Sequence, residues 1–474
     1  MNALLMIALL ASVSVFCEAK PNIIVFFSDD HGYSDLSCMG MEKDVKTPHI
    51  DRMAAEGARF TDGYVTAPQC CPSRAALMTG RDQNRFGHIS NGYGPLPLTE
   101  TTIADRLGKA GYTTGMVGKW HLEPNHSDTA FMEKHKVPDP KKIPPALEFK
   151  FHPHSRGFQE TFFGYLNRYS VTYDLEGNRF PKPKSIMTEG DRIDRQSDAA
   201  VTFIDLHHEK PFFLYVAYYA PHVPMASSKK YLDRFPGDMP ERRRYALAML
   251  SAMDDGVGRV LDKLQEYKID ENTLIFFMGD NGAPLKRTMP DDPIELDGVC
   301  WNGSKNTPLN GEKGMLSEGG IRVPYVMRWK GSIPGGQIIK TPVTSLDVAA
   351  TSAAAAGMKV PEEMDGLNLL PMLTKGEPLP KRALTWRFWR QSAIREGDWK
   401  LLKFSDQATY LFDLSKDPGE KNNLLDKQPG IAKKLAARLA AWNTELCPPH
   451  PGSPQEFAVY NHYFNLPMPE EPKK

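Results

Sequence analysis

Four short apolar runs, each stopping abruptly at charged or metal-binding residues, limit this chain more than any other feature. Ile23-Ile24-Val25-Phe26-Phe27 leads into Ser28-Asp29-Asp30-His31, and Thr113-Thr114-Gly115-Met116-Val117 leads into Gly118-Lys119-Trp120-His121. The apolar run 212–219 leads into Ala220-Pro221-His222, and Leu274-Ile275-Phe276-Phe277-Met278 leads into Gly279-Asp280-Asn281-Gly282. Continuous runs of branched and aromatic residues suit strands buried on both faces, the condition of a parallel sheet. Helix-like stretches lie among them, at 47–57, 101–110 and 242–266. This alternation predicts an α/β fold, a large mainly parallel or mixed sheet sandwiched by helices. Ligands of such sheets bind beyond the carboxyl ends of the strands, where all four polar endings fall.

Beyond about residue 375 the texture changes. Gly376-Glu377-Pro378-Leu379-Pro380-Lys381 reads as a linker. Strand-like pieces follow at 385–389, 392–395, 400–404 and 410–414, then the turn Asp417-Pro418-Gly419-Glu420 and an amphipathic helix near 431–445. A chain of 474 residues is long for one core. The expected division is a catalytic α/β domain over 20–375 and a smaller C-terminal subdomain over 376–474, an antiparallel sheet with one helix and a proline-rich tail from Cys447. Residues 3–16 are nearly all apolar, and Cys17-Glu18-Ala19 resembles a small-x-small cleavage site. Residues 1–19 are therefore read as a signal peptide and the product as exported, periplasmic or secreted. That run is shorter than the ~20 residues a membrane-spanning helix needs, and no later stretch could span.

Lys plus Arg and Asp plus Glu both number 58, so nothing global points to nucleic acid or an anionic membrane as partner. The six cysteines, Cys17, Cys38, Cys70, Cys71, Cys300 and Cys447, are too scattered for a disulfide framework. No oligomeric state follows from the sequence.

The chemistry gathers at the polar endings. Asp29 and Asp30 are adjacent carboxylates that repel unless a cation or proton intervenes. A solvated loop is the plainer reading of such a pair, as an ordinary turn is of Asp280-Asn281-Gly282. Together they offer only oxygen ligands, which select Ca²⁺ or Mg²⁺ over zinc. Lys119 and His121, two apart just past a strand, can reach one pocket. His222 is held near two restrictive residues, Pro221 and Pro224. In the run Cys70-Cys71-Pro72-Ser73-Arg74, Pro72 can open a helix and Gly80 can end it. Cys70 then lies beside a helix N-terminus, where free amides favour an anion such as sulfate. A buried structural thiol is the plain alternative.

The run from Cys70 through Arg74 to Leu77-Met78-Thr79-Gly80-Arg81 resembles the signature of the type I sulfatases of the alkaline phosphatase superfamily. Only Gln69 departs from it, where a small aliphatic or hydroxyl residue is usual. Residues 111–121 resemble the second signature, and Gly311-Glu312-Lys313-Gly314 with Glu318-Gly319-Gly320-Ile321-Arg322-Val323-Pro324 also match. The resemblance covers most of 21–330, continues weakly through Asp365-Gly366 and 417–420, and is nearest in character to exported polysaccharide sulfatases.

The resemblance implies that a formylglycine-generating enzyme oxidises Cys70 to formylglycine (3-oxoalanine). It implies one Ca²⁺, held by Asp29, Asp30, Asp280, Asn281 and the modified Cys70. A hydroxyl of the hydrated aldehyde attacks sulfur, while Arg74, Lys119 and Lys313 balance charge on the sulfuryl oxygens. His222, with Lys313, protonates or stabilises the departing oxygen. His121 orients or deprotonates the second hydroxyl, so that sulfate leaves and the aldehyde returns. The expected substrate is a sulfated oligo- or polysaccharide, an algal galactan of the carrageenan type first and a glycosaminoglycan second. Trp120 and Trp301 are expected as exposed platforms for sugar rings. One alternative is a phosphate or phosphonate ester hydrolase of the same superfamily, disfavoured by an acidic set suited to one ion. Another is an unmodified paralogue that only binds sulfated glycans.

Overall fold

A computed structural model describes residues 20–125, 128–285, 301–404, 407–449 and 463–464. The expected signal peptide and most of the proline-rich tail lie outside the described residues. In chain order the first strands are β1 (Asn22–Asp29), β2 (Ala58–Phe60), β3 (Gly63–Tyr64), β4 (Thr113–Gly118), β5 (Glu160–Tyr165) and β6 (Arg168–Tyr173). Next come β7 (Arg179–Met187), β8 (Phe212–Pro221), β9 (Thr273–Gly279), β10 (Tyr325–Arg328), β11 (Gln337–Ile339) and β12 (Val343–Thr344). Ten of these form one sheet in the order β11-β2-β10-β9-β1-β8-β4-β5-β6-β7, with β3 and β12 paired beside it. The four apolar runs are its adjacent central strands, β9-β1-β8-β4, all parallel. Antiparallel pairing begins only outside them, at β10 on one side and β6 on the other. The strand Arg179–Met187 has no apolar signature, because its residues are mostly exposed and it stands at an edge.

Side-chain parity along β1 builds two cores. Ile23, Val25 and Phe27 face one side, with Ala75, Leu77 and Met78 of the helix Cys70–Thr79. Ile24 and Phe26 face the other, with Leu247, Met253 and Val257 of the helix Glu241–Glu266. Successive side chains of a strand point to opposite faces, so both faces must be apolar where helices cover both. Each such fully buried large side chain contributes about 1.5–3 kcal/mol. The register is tight across the centre: Phe27 lies opposite Ala217 on one side and Met278 on the other, and Gly118 lies opposite Ala217.

The second sheet is antiparallel, in the order β13 (Ala383–Phe388), β14 (Gln391–Glu396), β15 (Trp399–Phe404) and β16 (Ala408–Asp413). One face packs Ile394, Leu401 and Leu411 against Leu435 and Leu439 of the helix Pro429–Asn443. The other face, with Trp386, Phe388 and Leu402, joins the core on the Phe27 side. A buried polar knot ties this sheet to the larger one. Lys400 on β15 is fully buried and reaches Glu318 at 2.8 Å and Glu420 at 2.9 Å. Glu318 also accepts from the Tyr64 hydroxyl at 2.6 Å and pairs with Arg322 at 3.3 Å. Glu420 accepts the Glu318 amide at 2.7 Å.

Cys38, Cys70, Cys71 and Cys447 are free thiols. Among the described residues no helix is long and apolar enough to cross a membrane.

Candidate active site

The parallel register brings the strand endings together. Asp29 closes β1, Asp280 follows β9, and Ser28 is paired with Gly279. The Asp30 amide donates to Asp280 Oδ1 at 3.0 Å, and Asn281 Nδ2 donates to Asp30 Oδ1 at 2.7 Å. Asn302 Nδ2 holds the Asp30 carbonyl at 2.9 Å. Asp29, Asp30, Asp280 and Asn281 are all fully buried. Asp30 has φ of 57°, a left-handed conformation that a non-glycine residue keeps only when its surroundings over-determine it.

Cys70 enters from the opposite wall. Its helix opens at Cys70 rather than at Pro72, with Gln69 extended before it, and Gly80 closes it at φ 70°. Pro72 is tolerated at the third position because the first turn's N–H groups have no helical partner in any case. Gln69, the one departure from the signature, has a local task. Its Oε1 accepts from Ser90 Oγ at 3.1 Å and from the Asn91 amide at 3.0 Å, and Asn91 Oδ1 in turn accepts the Cys71 amide at 3.0 Å. Burial pushes the Cys70 thiol up to about 11, so the unmodified side chain is a poor nucleophile near neutral pH.

Three cations face the three carboxylates. Arg74 Nη2 lies 2.7 Å from Asp280 Oδ2 and 3.6 Å from Asp29 Oδ1, and its Nη1 donates to the Lys119 carbonyl at 3.1 Å. Lys119 Nζ reaches Asp29 Oδ2 at 2.5 Å, and Lys313 Nζ reaches Asp30 Oδ1 at 2.6 Å. Lys119 is aimed by the residue before it. Gly118 has φ of 95°, and a Cβ there would come within 2.0 Å of the Ala217 carbonyl oxygen. Burial opposes ionisation of Asp29, but the charges of Lys119, Arg74 and Lys313 outweigh it and hold the carboxyl well below its usual range. Asp280 goes the other way, up to about 7, through burial and the charge on Asp29.

The two histidines differ. His222 Nδ1 sits 2.5 Å from the Val223 carbonyl and therefore carries the proton of the neutral ring, leaving Nε2 facing Asp30 Oδ2 at 3.6 Å. Burial lowers it to about 4, with Asp29 opposing. His121 adopts φ of 61°, its carbonyl accepts from the Cys71 thiol at 2.8 Å, and its buried Nδ1 has no hydrogen-bond partner among the described residues. Burial and then the Lys119 charge keep it neutral.

The carboxylate and amide oxygens gathered here suit a hard divalent cation. Asp29, Asp30, Cys70 and His222 offer ligand atoms within 4.8 Å of one another. The buried Asp29 Oδ1 and Asn281 Oδ1 have no hydrogen-bond donor among the described residues. Unsatisfied buried oxygens are costly unless something positive completes them.

Every expected site residue thus lies around one point, but one of the two expected sugar platforms is not exposed. Trp120 is only 2% exposed, packs edge-on against Phe158 and donates its Nε1 to the Phe151 carbonyl at 2.8 Å, so it is a core residue. Trp301 is half-buried and donates to the Ser304 carbonyl. Sequence reading missed Asn91, Asn302 and Tyr215, whose hydroxyl lies 3.3 Å from Arg74 Nη1. Their partners are distant in the chain and carry no local signal.

Carboxylates, lysines and a cysteine at a helix N-terminus thus gather at the carboxyl edge of a mixed sheet, where folds of this class bind their ligands. The chain matches the family model described as Sulfatase over residues 21–358, and that described as N-sulphoglucosamine sulphohydrolase, C-terminal, over 311–445. It is 33% identical over 429 residues to N-acetylgalactosamine-6-sulfatase of Mus musculus, covering 84% of this chain and 74% of that protein. To Arylsulfatase A of Homo sapiens it is 30% identical over 480 residues, 92% and 89% of the two chains. The solved structure of Ps i-CgsB superposes with a TM-score of 0.76 at 30% identity, covering 94% of this chain and 97% of that one. Its complex with k-i-k-neocarrahexaose gives 0.75 at 29%. The chain belongs to the type I sulfatase family of the alkaline phosphatase superfamily, and the protein is a sulfuric ester hydrolase.

Proposed function

We propose that the protein hydrolyses sulfate esters on a sulfated carbohydrate, with Cys70 carried as formylglycine and one Ca²⁺ held by Asp29, Asp30, Asp280, Asn281 and position 70. The observation that carries this reading is the position of Cys70, buried at a helix N-terminus among Lys119, Lys313 and the oxygen donors of two strand ends. Formylglycine and the ion together would supply an acidified hydroxyl for attack on sulfur. The chain's own residues do the rest. Lys119 and Lys313 meet the negative charge of the sulfuryl oxygens, and Arg74 locks Asp280 and Asp29 in place. His222 presents Nε2 to the departing oxygen. Because its Nδ1 is committed to Val223, donation from Nε2 requires the imidazolium, which the negative charge of a bound ester would favour. His121 takes a proton from position 70 during the second step.

A carrageenan-type galactan is the leading substrate, supported by the likeness over 94% of this chain to a structure bound to k-i-k-neocarrahexaose. A glycosaminoglycan is second, supported by the N-acetylgalactosamine-6-sulfatase relative. Phosphate esters are disfavoured. The other metal-capable group among the described residues, His49, Asp254 and Asp255, belongs to a different part of the fold, leaving oxygen ligands for one ion here. We further assign export to the periplasm or beyond, maturation by a formylglycine-generating enzyme, and a division into catalytic and C-terminal units near residue 376. Mass analysis of the Cys70 peptide, with sulfate release from defined carrageenan and glycosaminoglycan oligosaccharides, tests the reading. An unmodified Cys70 in active protein, or release from neither class, overturns it.

A further inference from the structure

A cavity of about 470 Å³ opens beside His222, lined by Arg192, Ser227, Ser228, Asn167, Leu166 and Pro224 among others. Arg192 opens the helix Arg192–His207 and is only 5% exposed. Its Nη2 donates to the carbonyls of His222 at 2.7 Å and Pro224 at 2.8 Å, so it grips the segment that carries the candidate acid. Its Nε and Nη1 are buried and have no hydrogen-bond acceptor among the described residues. The hydroxyls of Ser227 and Ser228 are likewise buried and unpaired. A guanidinium does not lose its charge in proteins, and buried donors are rarely left without acceptors. The remaining charged residue of the lining, Asp191, is already engaged, accepting the Ile193 amide at 2.9 Å and the Ser228 amide at 3.0 Å. Unused cationic and hydroxyl donors therefore stand in the wall of the cavity.

Its placement connects it to the reaction centre. Arg192 Cζ lies 5.2 Å from the Tyr219 ring centroid, and Lys119 Nζ lies 5.8 Å from the same centroid. Arg192 and Lys119 thus border the same ring, and Arg192 grips the segment that carries His222, so the cavity adjoins the reaction centre. We infer that this cavity is an anion subsite, in which Arg192, Ser227 and Ser228 receive a second sulfate or a carboxylate of the same glycan. The inference rests on the sulfatase reading above and deepens it: the preferred substrate carries a further negative charge near the scissile ester.

The test separates the two. In full-length Cys70→Ala protein, which cannot turn over, calorimetry measures binding of three matched oligosaccharides: monosulfated and otherwise neutral, the same with a second sulfate, and the same with a uronate carboxylate. The expected result is roughly 10- to 100-fold tighter binding of one or both doubly charged ligands, the range of a charge-assisted hydrogen bond. The better of the two identifies the anion. Arg192→Gln should remove most of that preference. Ser227→Ala with Ser228→Ala leaves the grip on His222 and Pro224 untouched and should reduce the preference severalfold, which keeps the test decisive should Arg192→Gln fold poorly. Equal or undetectable affinity for all three ligands, or a preference that survives the serine replacements and any folded Arg192 variant, overturns the subsite. Sulfate release by the unmutated, matured enzyme bears on the functional reading alone.

Discussion

Lys400→Met should loosen the attachment of the small sheet in a way that depends on pH. The replacement keeps volume and removes a fully buried ammonium shared by Glu318 and Glu420. Glu318 retains the Tyr64 hydroxyl and Arg322, whereas Glu420 retains only the Glu318 amide among the contacts described above. Breaking a buried pair by deleting one partner costs about 3–5 kcal/mol. The two glutamates titrate in opposite senses. Burial raises Glu420 to about 7 against the pull of Lys400, from 4.5. Its contribution to stability is therefore complete below 4.5 and lost as pH rises through about 7. Burial acts on Glu318 as well, but Lys400, Arg322 and Arg395 outweigh it and hold the group at about 2. Its contribution is present above 4.5 and lost only as pH falls through about 2. Below about 7, Glu420 is protonated in both proteins, and the mutant loses the ion pair with Glu318 and a hydrogen bond to a neutral Glu420. Near pH 8 the wild type pairs an ionised Glu420 with Lys400, whereas the mutant must keep it neutral, adding about 1.4 kcal/mol for one unit of pH. Urea unfolding followed by tryptophan fluorescence at about pH 5.5 and about pH 8 reads both values, with Trp386 reporting from its contact with Tyr64. A cost independent of pH, or below about 1 kcal/mol throughout, would refute the reasoning.

Five further outcomes are expected at the site. His222→Ala should slow release from sugar sulfates by about 10²–10⁴-fold and from nitrophenyl sulfate far less, since a phenolate leaves without a proton; equal losses on both remove the assigned role. His121→Ala should accumulate a sulfated enzyme, seen as added mass on the Cys70 peptide during turnover, and its absence counts against a second-step role. Asp280→Ala or Asn281→Ala should weaken Ca²⁺ binding measured by calorimetry, and unchanged affinity would dismiss the oxygen cage. Cys70→Ala should abolish sulfate release with an unchanged circular dichroism spectrum. Cys71→Ala should retain the modification at position 70 with a loss of about tenfold or less, because one thiol hydrogen bond to the His121 carbonyl disappears.

The central strands were legible because a strand covered by helices on both faces must be apolar throughout, which leaves an unbroken run in the chain. The site was legible for a related reason. Asp29, Lys119, His222 and Asp280 each stand at or just past such a run, so their convergence follows from parallel pairing. Where partners are remote the reading failed. Trp120 looked like an exposed ring, yet its indole nitrogen finds the Phe151 carbonyl 31 positions away. The grip of Arg192 on the His222 and Pro224 carbonyls leaves no trace in local pattern. The helix began at Cys70 because the extended Gln69 before it, anchored to Ser90 and Asn91, sets the start, and that anchor is visible only in three dimensions.

The row formed by Gly118, Ala217, Phe27 and Met278 acts as a ruler for the chemistry. A strand advances about 3.3 Å per residue, so a slip of one position along any member would carry its terminal carboxylate, lysine or histidine that far from the others. Misplacement of about 1 Å can already cost 10²-fold in rate. The apolar side chains that hold register are thus part of the tolerance of the reaction, although they are fully buried in the sheet. A substitution deep in the sheet, at Phe27 or Ala217, would present as a catalytic defect in a protein that still folds, and a search for inactive variants confined to polar residues would overlook it.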